Sequence, residues 1–108
     1  MYPAGVVRRN LTKEDIAEVA GLQSKVMPNP WSEQAFNSSI KAGNGCYTLI
    51  KAGEIVAVAV VVQVLDEAEL LTIAVAKHQQ GQGLGAELLA DLMSVLKAQS
   101  AKQCMLEV

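Results

Sequence analysis

The sequence predicts an α/β chain of the α+β kind, built on one mixed sheet in the element order β-α-α-β-β-β-α-β. Three observations carry this expectation. Between residues 46 and 75, three strand-length runs rich in Val, Ile, Leu and Thr follow one another with short turns between them, a spacing that suits hairpins. Before them, two stretches repeat apolar residues at helical spacing and are closed by Pro or Gly. After them, the loop Gln80-Gly81-Gln82-Gly83-Leu84-Gly85 opens a longer helical stripe.

A length of 108 residues suits one small domain, and residues 1–108 are read as one. With 51% hydrophobic and 19% charged residues, the chain can bury a core and does not have the composition of a disordered segment. A formal net charge of −2 argues against general nucleic-acid binding, which asks for a basic face. Glu54, Asp66, Glu67 and Glu69 gather mid-chain. They are either solvated turn residues or a rim that draws a basic substrate. Cys46 and Cys104 fall on strand patterns without metal-ligand spacing; they read as buried free thiols in a reducing compartment, and no metal is expected. Arg8 and Arg9 precede no apolar run of signal-peptide length. The most apolar segment, Ile55 to Leu65, is too short to span a bilayer. The expected location is the cytoplasm, away from membranes.

Each element has its local reason. Val6 to Arg9 reads as a short edge strand. Thr12 can cap a helix whose first turn holds Glu14 and Asp15, with Leu11 and Ile16 as a hydrophobic staple. Ile16, Val19, Ala20, Leu22 and Val26 then recur at helical spacing. Met27-Pro28-Asn29-Pro30 ends that helix, because proline restricts the residue before it as well as itself. Ser32 caps a second helix, Glu33 meets its dipole, Trp31 can staple onto Phe36, and Gly43-Asn44-Gly45 closes it. Trp31 has two readings: this packing, or a place with the Pro-Asn-Pro bend along a substrate groove. Cys46 to Lys51 leads into Ala52-Gly53-Glu54, which is hairpin chemistry. Ile55 to Leu65 is nearly unbroken Val and Ala, the pattern of a central strand covered on both faces. Asp66-Glu67 turns the chain, and Glu69 to Val75 returns antiparallel. Leu84, Leu88, Leu89, Leu92, Val95 and Leu96 mark one face of a helix reaching about Ser100. Cys104 to Val108 reads as a last strand, parallel to its predecessor because a helix joins them.

The glycine loop leads into a helix N-terminus, where unbonded N–H groups and the helix dipole favour an anion such as phosphate. No Lys-Ser or Lys-Thr follows the glycines, which excludes a P-loop. Gly81-x-Gly83-x-x-Ala86 does satisfy a dinucleotide pattern, and Glu107 lies about 20 residues further on. That fingerprint places its first glycine at the strand's tip, whereas here Ala76 to Gln80 intervene and hairpins precede.

Gln80-x-x-Gly83-x-Gly85 after Thr72-Ile73-Ala74-Val75 resembles the acetyl-coenzyme A signature of the GNAT acetyltransferases. Pro30 to Glu33, Asp66 to Leu70, Ile73 to Val75, Gln82 to Gly85 and Leu106 to Val108 follow the order and spacing of their bacterial ribosomal-protein S18 alanine N-acetyltransferase branch. The resemblance implies a GNAT-like fold, acetyl-coenzyme A as cosubstrate, and acetyl transfer to a protein N-terminal amine such as that alanine. It gives the pyrophosphate to the backbone of Gln80, Gly81, Gln82, Gly83, Leu84, Gly85 and Ala86, and the pantetheine arm to Ile73, Ala74 and Val75. Trp31 and Glu33 fall to the acceptor, and Glu107 to the general base. An N-terminal ammonium has a pKa of about 8, so a carboxylate within reach can take its proton. Without the resemblance, Glu107 reads as a charged strand end. His78, the chain's one histidine, is either an exposed bend residue or a neighbour of the cofactor phosphates.

Two departures stand out. Gly81 occupies a position often held by arginine, which Lys77 can partly replace. The family's pattern also continues with another helix, two strands and a tyrosine that Tyr2 and Tyr47 do not match, so the fold is expected to be truncated after its fifth strand. Two other readings compete: a non-catalytic acyl-coenzyme A binding module and a dinucleotide-binding fragment. The unpaired far edge of the last strand is expected to invite pairing with a second copy.

Overall fold

Ala52 and Gly53, with φ of 53° and 79°, make the tight turn that folds β2 (Gly45–Lys51) back on β3 (Glu54–Val64). Two successive left-handed residues match the twist of the strands they join. A second reversal brings β4 (Glu67–Val75) alongside β3, and β1 (Val6–Asn10) lies against β2. The computed structural model describes residues 2–64 and 67–106, with side chains as far as residue 97. Among the described residues the sheet has four strands, all antiparallel, in the order β1-β2-β3-β4.

β3 is buried on both faces, as its composition led us to expect. One face meets α3 (Leu84–Leu106): Val56, Ala57, Ala59 and Val61, with Leu49 of β2, pack with Leu84, Leu88, Leu92 and Leu96. The other face meets α1 (Ile16–Val26) and α2 (Glu33–Lys41), where Ile55, Val58, Val60 and Ala74 pack with Ile16, Val19 and Phe36. Val56 and Ala57 share a face although they are adjacent. The reason is a bulge: Leu49 pairs with Ala57 and Ile50 with Ile55, which leaves Val56 as an extra residue.

Local capping follows the side-chain chemistry. The Asp15 carboxylate accepts from the Thr12 N–H at 3.1 Å and from its hydroxyl at 3.0 Å. The turn so capped is a single 3-10 turn, Lys13–Asp15, and α1 begins only at Ile16. Ser32 Oγ accepts from the Ala35 N–H at 3.1 Å, and Trp31 meets Phe36 with ring centroids 5.2 Å apart. In α3 the buried stripe is narrower than expected, because Leu89 is 38% exposed.

Among the described residues the expected parallel strand from Cys104 to Val108 is not formed. Residues 104–106 continue α3, and Glu107 and Val108 lie outside the described residues. No Gly or Pro stands between Leu96 and Leu106, while Ala98, Gln99, Ala101, Lys102 and Gln103 are good helix formers. Each further residue then adds a helical hydrogen bond. The free edge expected on that strand is instead carried by β4, which among the described residues has a neighbour on one side only.

The N-terminal segment is tied to α3 through Asp91. The Tyr2 hydroxyl donates to Asp91 Oδ2 at 2.6 Å, and Arg8 Nη1 donates to the same oxygen at 2.9 Å. Burial, and then the bond to Asp91, push the Tyr2 phenol well above its ordinary range. A raised phenol pKa favours the protonated fold, so this contribution is complete below pH about 10 and is lost as pH climbs beyond that. The urea midpoint is therefore expected to fall on the alkaline side, and Tyr2→Phe to flatten that fall. An equally steep alkaline limb in Tyr2→Phe would assign the loss to another group.

Candidate functional site

Where β4 ends, a series of short bonds sets the loop that follows. The Ala76 N–H donates to the Val56 carbonyl at 2.8 Å, and the 3-10 turn Lys77–Gln79 closes with Gln79 N–H to Ala76 C=O at 2.9 Å. Gln80 reaches back, its Nε2 donating to the Val75 carbonyl at 3.0 Å. Gly81 and Gly83 then take φ of 84° and 78°. This left-handed region costs a side-chain-bearing residue about 1–2 kcal/mol. Open space surrounds both positions, since a Cβ at either would meet nothing within 4 Å. Glycine is needed here for backbone shape, not for room.

That shape delivers the chain into α3 with its first turn bare. The first inward bond is the Glu87 N–H to the Gly83 carbonyl at 3.0 Å. The amides just before it have no partner within the helix by geometry, and the dipole adds partial positive charge beside them. The turn can hold an anion without any cationic side chain.

A cavity of about 410 Å³ runs beside this turn, lined by Val26, Met27, Ile73, Ala74, Val75, Gln80, Gly85, Ala86 and Leu89. Val26 and Met27 come from the end of α1 and the residue after it, Ile73 to Val75 from the β4 wall, and Gly85, Ala86 and Leu89 from the first turns of α3. An apolar trough finished by free amides suits an elongated ligand with an anionic terminus. β4 also bulges just before this wall, because Val60 pairs with Thr72 and Val61 with Leu70, leaving Leu71 unmatched.

The structure thus gathers Ile73, Ala74, Val75, Gln80, Gly85 and Ala86 at one cavity. Gly81, Gln82 and Gly83 form the exposed loop beside it. The Leu84 side chain points into the core, so only its backbone is available there. Sequence reasoning missed Val26, Met27 and Leu89. The first two end the α1 stripe directly before Pro28, and Leu89 lies one helical turn beyond Gly85; those were the available signals.

Trp31 packs on Phe36, and its backbone N–H donates to Gln23 Oε1 at 2.8 Å. Glu33, in the first turn of α2, borders a different hollow together with Lys13, Glu14, Gln34 and Asn37. His78 and Lys77 are exposed in the 3-10 turn. Glu107 lies outside the described residues. Cys46 is a buried free thiol whose pKa is raised by that burial. Among the described residues no helix is long and apolar enough to cross a membrane.

The sheet lies between helical layers, and a glycine turn feeds a bare helix start beside an open trough, a site suited to an elongated ligand with an anionic end. The chain belongs to the acetyltransferase (GNAT) family, whose sequence profile matches residues 16–108. It is 33% identical over 99 residues to the ribosomal protein bS18-alanine N-acetyltransferase of Escherichia coli, covering 92% of this chain and 67% of that protein. The crystal structure of the Escherichia coli ribosomal-protein-S18-alanine N-acetyltransferase superimposes with a TM-score of 0.81 at 32% identity. That match covers 87% of this chain and 61% of the solved one, so the chain spans less than two thirds of that structure. The same fold is shared with Arabidopsis thaliana Naa50 in complex with a bisubstrate analogue, CoA-Ac-MVNAL, at a TM-score of 0.69 and 15% identity over 85% of this chain and 64% of the other.

Proposed function

We propose that this chain binds acetyl-coenzyme A in the trough between α1 and β4 and serves an N-acetyltransferase acting on a protein N-terminal amine, that of ribosomal protein S18 being the first candidate. The observation that carries the reading is that the bare first turn of α3 lines the same cavity as β4. The pyrophosphate would take the amides of Gly83 to Ala86, and the pantetheine arm would lie along Ile73, Ala74 and Val75. Among the described residues β4 has a sheet neighbour on one side only, so its outer edge can offer that arm backbone groups. The relatives named for alanine acetylation support the acceptor class, and a reducing cytoplasm is the compartment in which such a reaction fits.

In the reaction, the neutral amine attacks the thioester carbonyl, an N–C bond forms, and the C–S bond breaks to release a thiol. The amine must first lose a proton, which Glu107 would take directly or through water. Trp31 would border the acceptor, held in place through its staple on Phe36, and Glu33 is kept as a second acceptor contact.

Titration calorimetry is expected to show saturable binding of acetyl-coenzyme A and none of NAD. Binding of NAD alone would overturn the reading in favour of a dinucleotide site. Thiol release with a peptide beginning in alanine tests transfer itself. There Glu107→Gln is expected to slow release by about 100-fold or more while cosubstrate affinity stays unchanged. Equal losses of rate and affinity would remove Glu107 from the role of base. Cosubstrate binding without thiol release would instead identify a non-catalytic acyl-coenzyme A module.

A further inference from the structure

Gln23 joins the two walls of the trough through a side-chain hydrogen bond. It sits on α1 with 0% of its surface exposed, and both ends of its amide are used. Nε2 donates to Thr72 Oγ1 at 2.8 Å, and Oε1 accepts from the Trp31 N–H at 2.8 Å. Its backbone carbonyl accepts in turn from the Met27 N–H at 2.9 Å. One residue therefore holds the start and the end of the Met27–Trp31 bend. It also fixes that bend to β4 at Thr72, the position between the unmatched Leu71 and the wall residues Ile73 to Val75.

Packing alone does not call for a carboxamide here. The surroundings are apolar, with Val19, Phe36, Val58 and Ala74 in the same layer, and a leucine of similar size would avoid the desolvation of an amide. A buried amide is worth its desolvation only while its partners stay in place, so it tolerates one arrangement of the three elements and penalises others. The bend it holds carries two prolines and no regular secondary structure, and so has no hydrogen-bond ladder of its own. Met27 at its start lines one side of the cavity, and Val75 lines the other.

We propose that Gln23 is a positioning residue: its amide clasps the Met27–Trp31 bend to β4 and thereby sets the width of the trough. The affinity part of this proposal rests on the reading of the trough as an acetyl-coenzyme A site; the geometry does not. Trp31 is the only tryptophan in the chain, so its fluorescence reports on the bend directly.

In Gln23→Leu, acrylamide quenching of Trp31 is expected to rise at least twofold, and the dissociation constant for acetyl-coenzyme A about tenfold. Gln23→Glu, whose carboxylate can accept from the Trp31 N–H and from a rotated Thr72 hydroxyl, is expected to recover most of both. Thr72→Val cuts only the β4 end, and is expected to weaken acetyl-coenzyme A binding while Thr72→Ser does not. Should Gln23→Leu fail to fold by circular dichroism, the Thr72 pair decides. Unchanged quenching and affinity in folded Gln23→Leu, or equal affinity in Thr72→Val and Thr72→Ser, overturns the clasp even if stability has fallen. If the parent chain does not bind acetyl-coenzyme A, the functional reading fails, and the quenching comparison still judges Gln23.

Discussion

Gly83→Val is expected to leave the sheet and helices intact and to weaken acetyl-coenzyme A binding at least roughly tenfold. The residue stands at φ 78° with open space around it, so valine would meet no steric wall. The cost is conformational: about 1–2 kcal/mol for a residue with a Cβ, and more for a β-branched one, which is a true outlier there. The loop can escape by returning to negative φ, but doing so redirects the amides that lead into α3. A tenfold loss corresponds to about 1.4 kcal/mol, within the range of that strain. Calorimetry with circular dichroism on the same samples separates binding from folding, and parent-like affinity would mean the amides are not used. Gly85→Ala makes the contrast. Its Cβ would meet Val75 Cγ2 at 3.5 Å, an ordinary contact, and alanine gains up to about 1 kcal/mol of helix propensity over glycine. A loss of binding in Gly85→Ala would therefore report how closely the ligand approaches the backbone.

Phe36→Ala is expected to lower the unfolding free energy by about 3–5 kcal/mol, a large part of the roughly 5–15 kcal/mol that holds a domain folded. Phe36 is fully buried and joins α2 to the helical face of the sheet, with the Trp31 ring tilted against it. Removing the ring takes away its transfer energy and leaves a void that Val19 and Val58 on fixed elements cannot fill. Urea unfolding is the measurement, with slopes of about 1–3 kcal/mol/M. The midpoint should drop by at least about 1 M. Val7→Ala is the companion: Val7 is 59% exposed, and its midpoint should scarcely move. A Phe36→Ala midpoint as high as that of Val7→Ala would mean the helical layer repacks without loss.

Much of this molecule was legible in local chemistry. Ser32 before Glu33, Trp31 beside Phe36, Ala52-Gly53 between two apolar runs and the alternating glycines each act over a few residues, and each element forms where these signals stand. Three features were not legible, for a common reason: each depends on how one element meets another and not on the pattern within an element. The extra residues Val56 and Leu71 exist only through the registers of neighbouring strands. Gln23 interrupts an apolar helical stripe, and nothing near it reveals that its amide is satisfied by Thr72, 49 residues away. Val26 and Met27 reach the trough because α1 packs beside β4, which periodicity on α1 cannot state. Cys104 to Leu106 shows the opposite failure, since a short apolar run imitates a strand where an uninterrupted helix carries on.

The succession of β2, β3 and β4 also bears on the order in which the chain assembles. Each strand pairs with the one that precedes or follows it in the chain, and such near-neighbour contacts carry small loop-closure costs and favour rapid folding. Hairpins close in about 1–10 μs, so β2 to β4 can zip in sequence without waiting for a distant partner. The Ala76 bond to Val56 forms in the same pass, and it aims the glycine turn. β1 needs a closure across both α1 and α2, and the Tyr2–Asp91 tie one of 89 residues. They belong to a later step, after the start of α3 has already been given its direction.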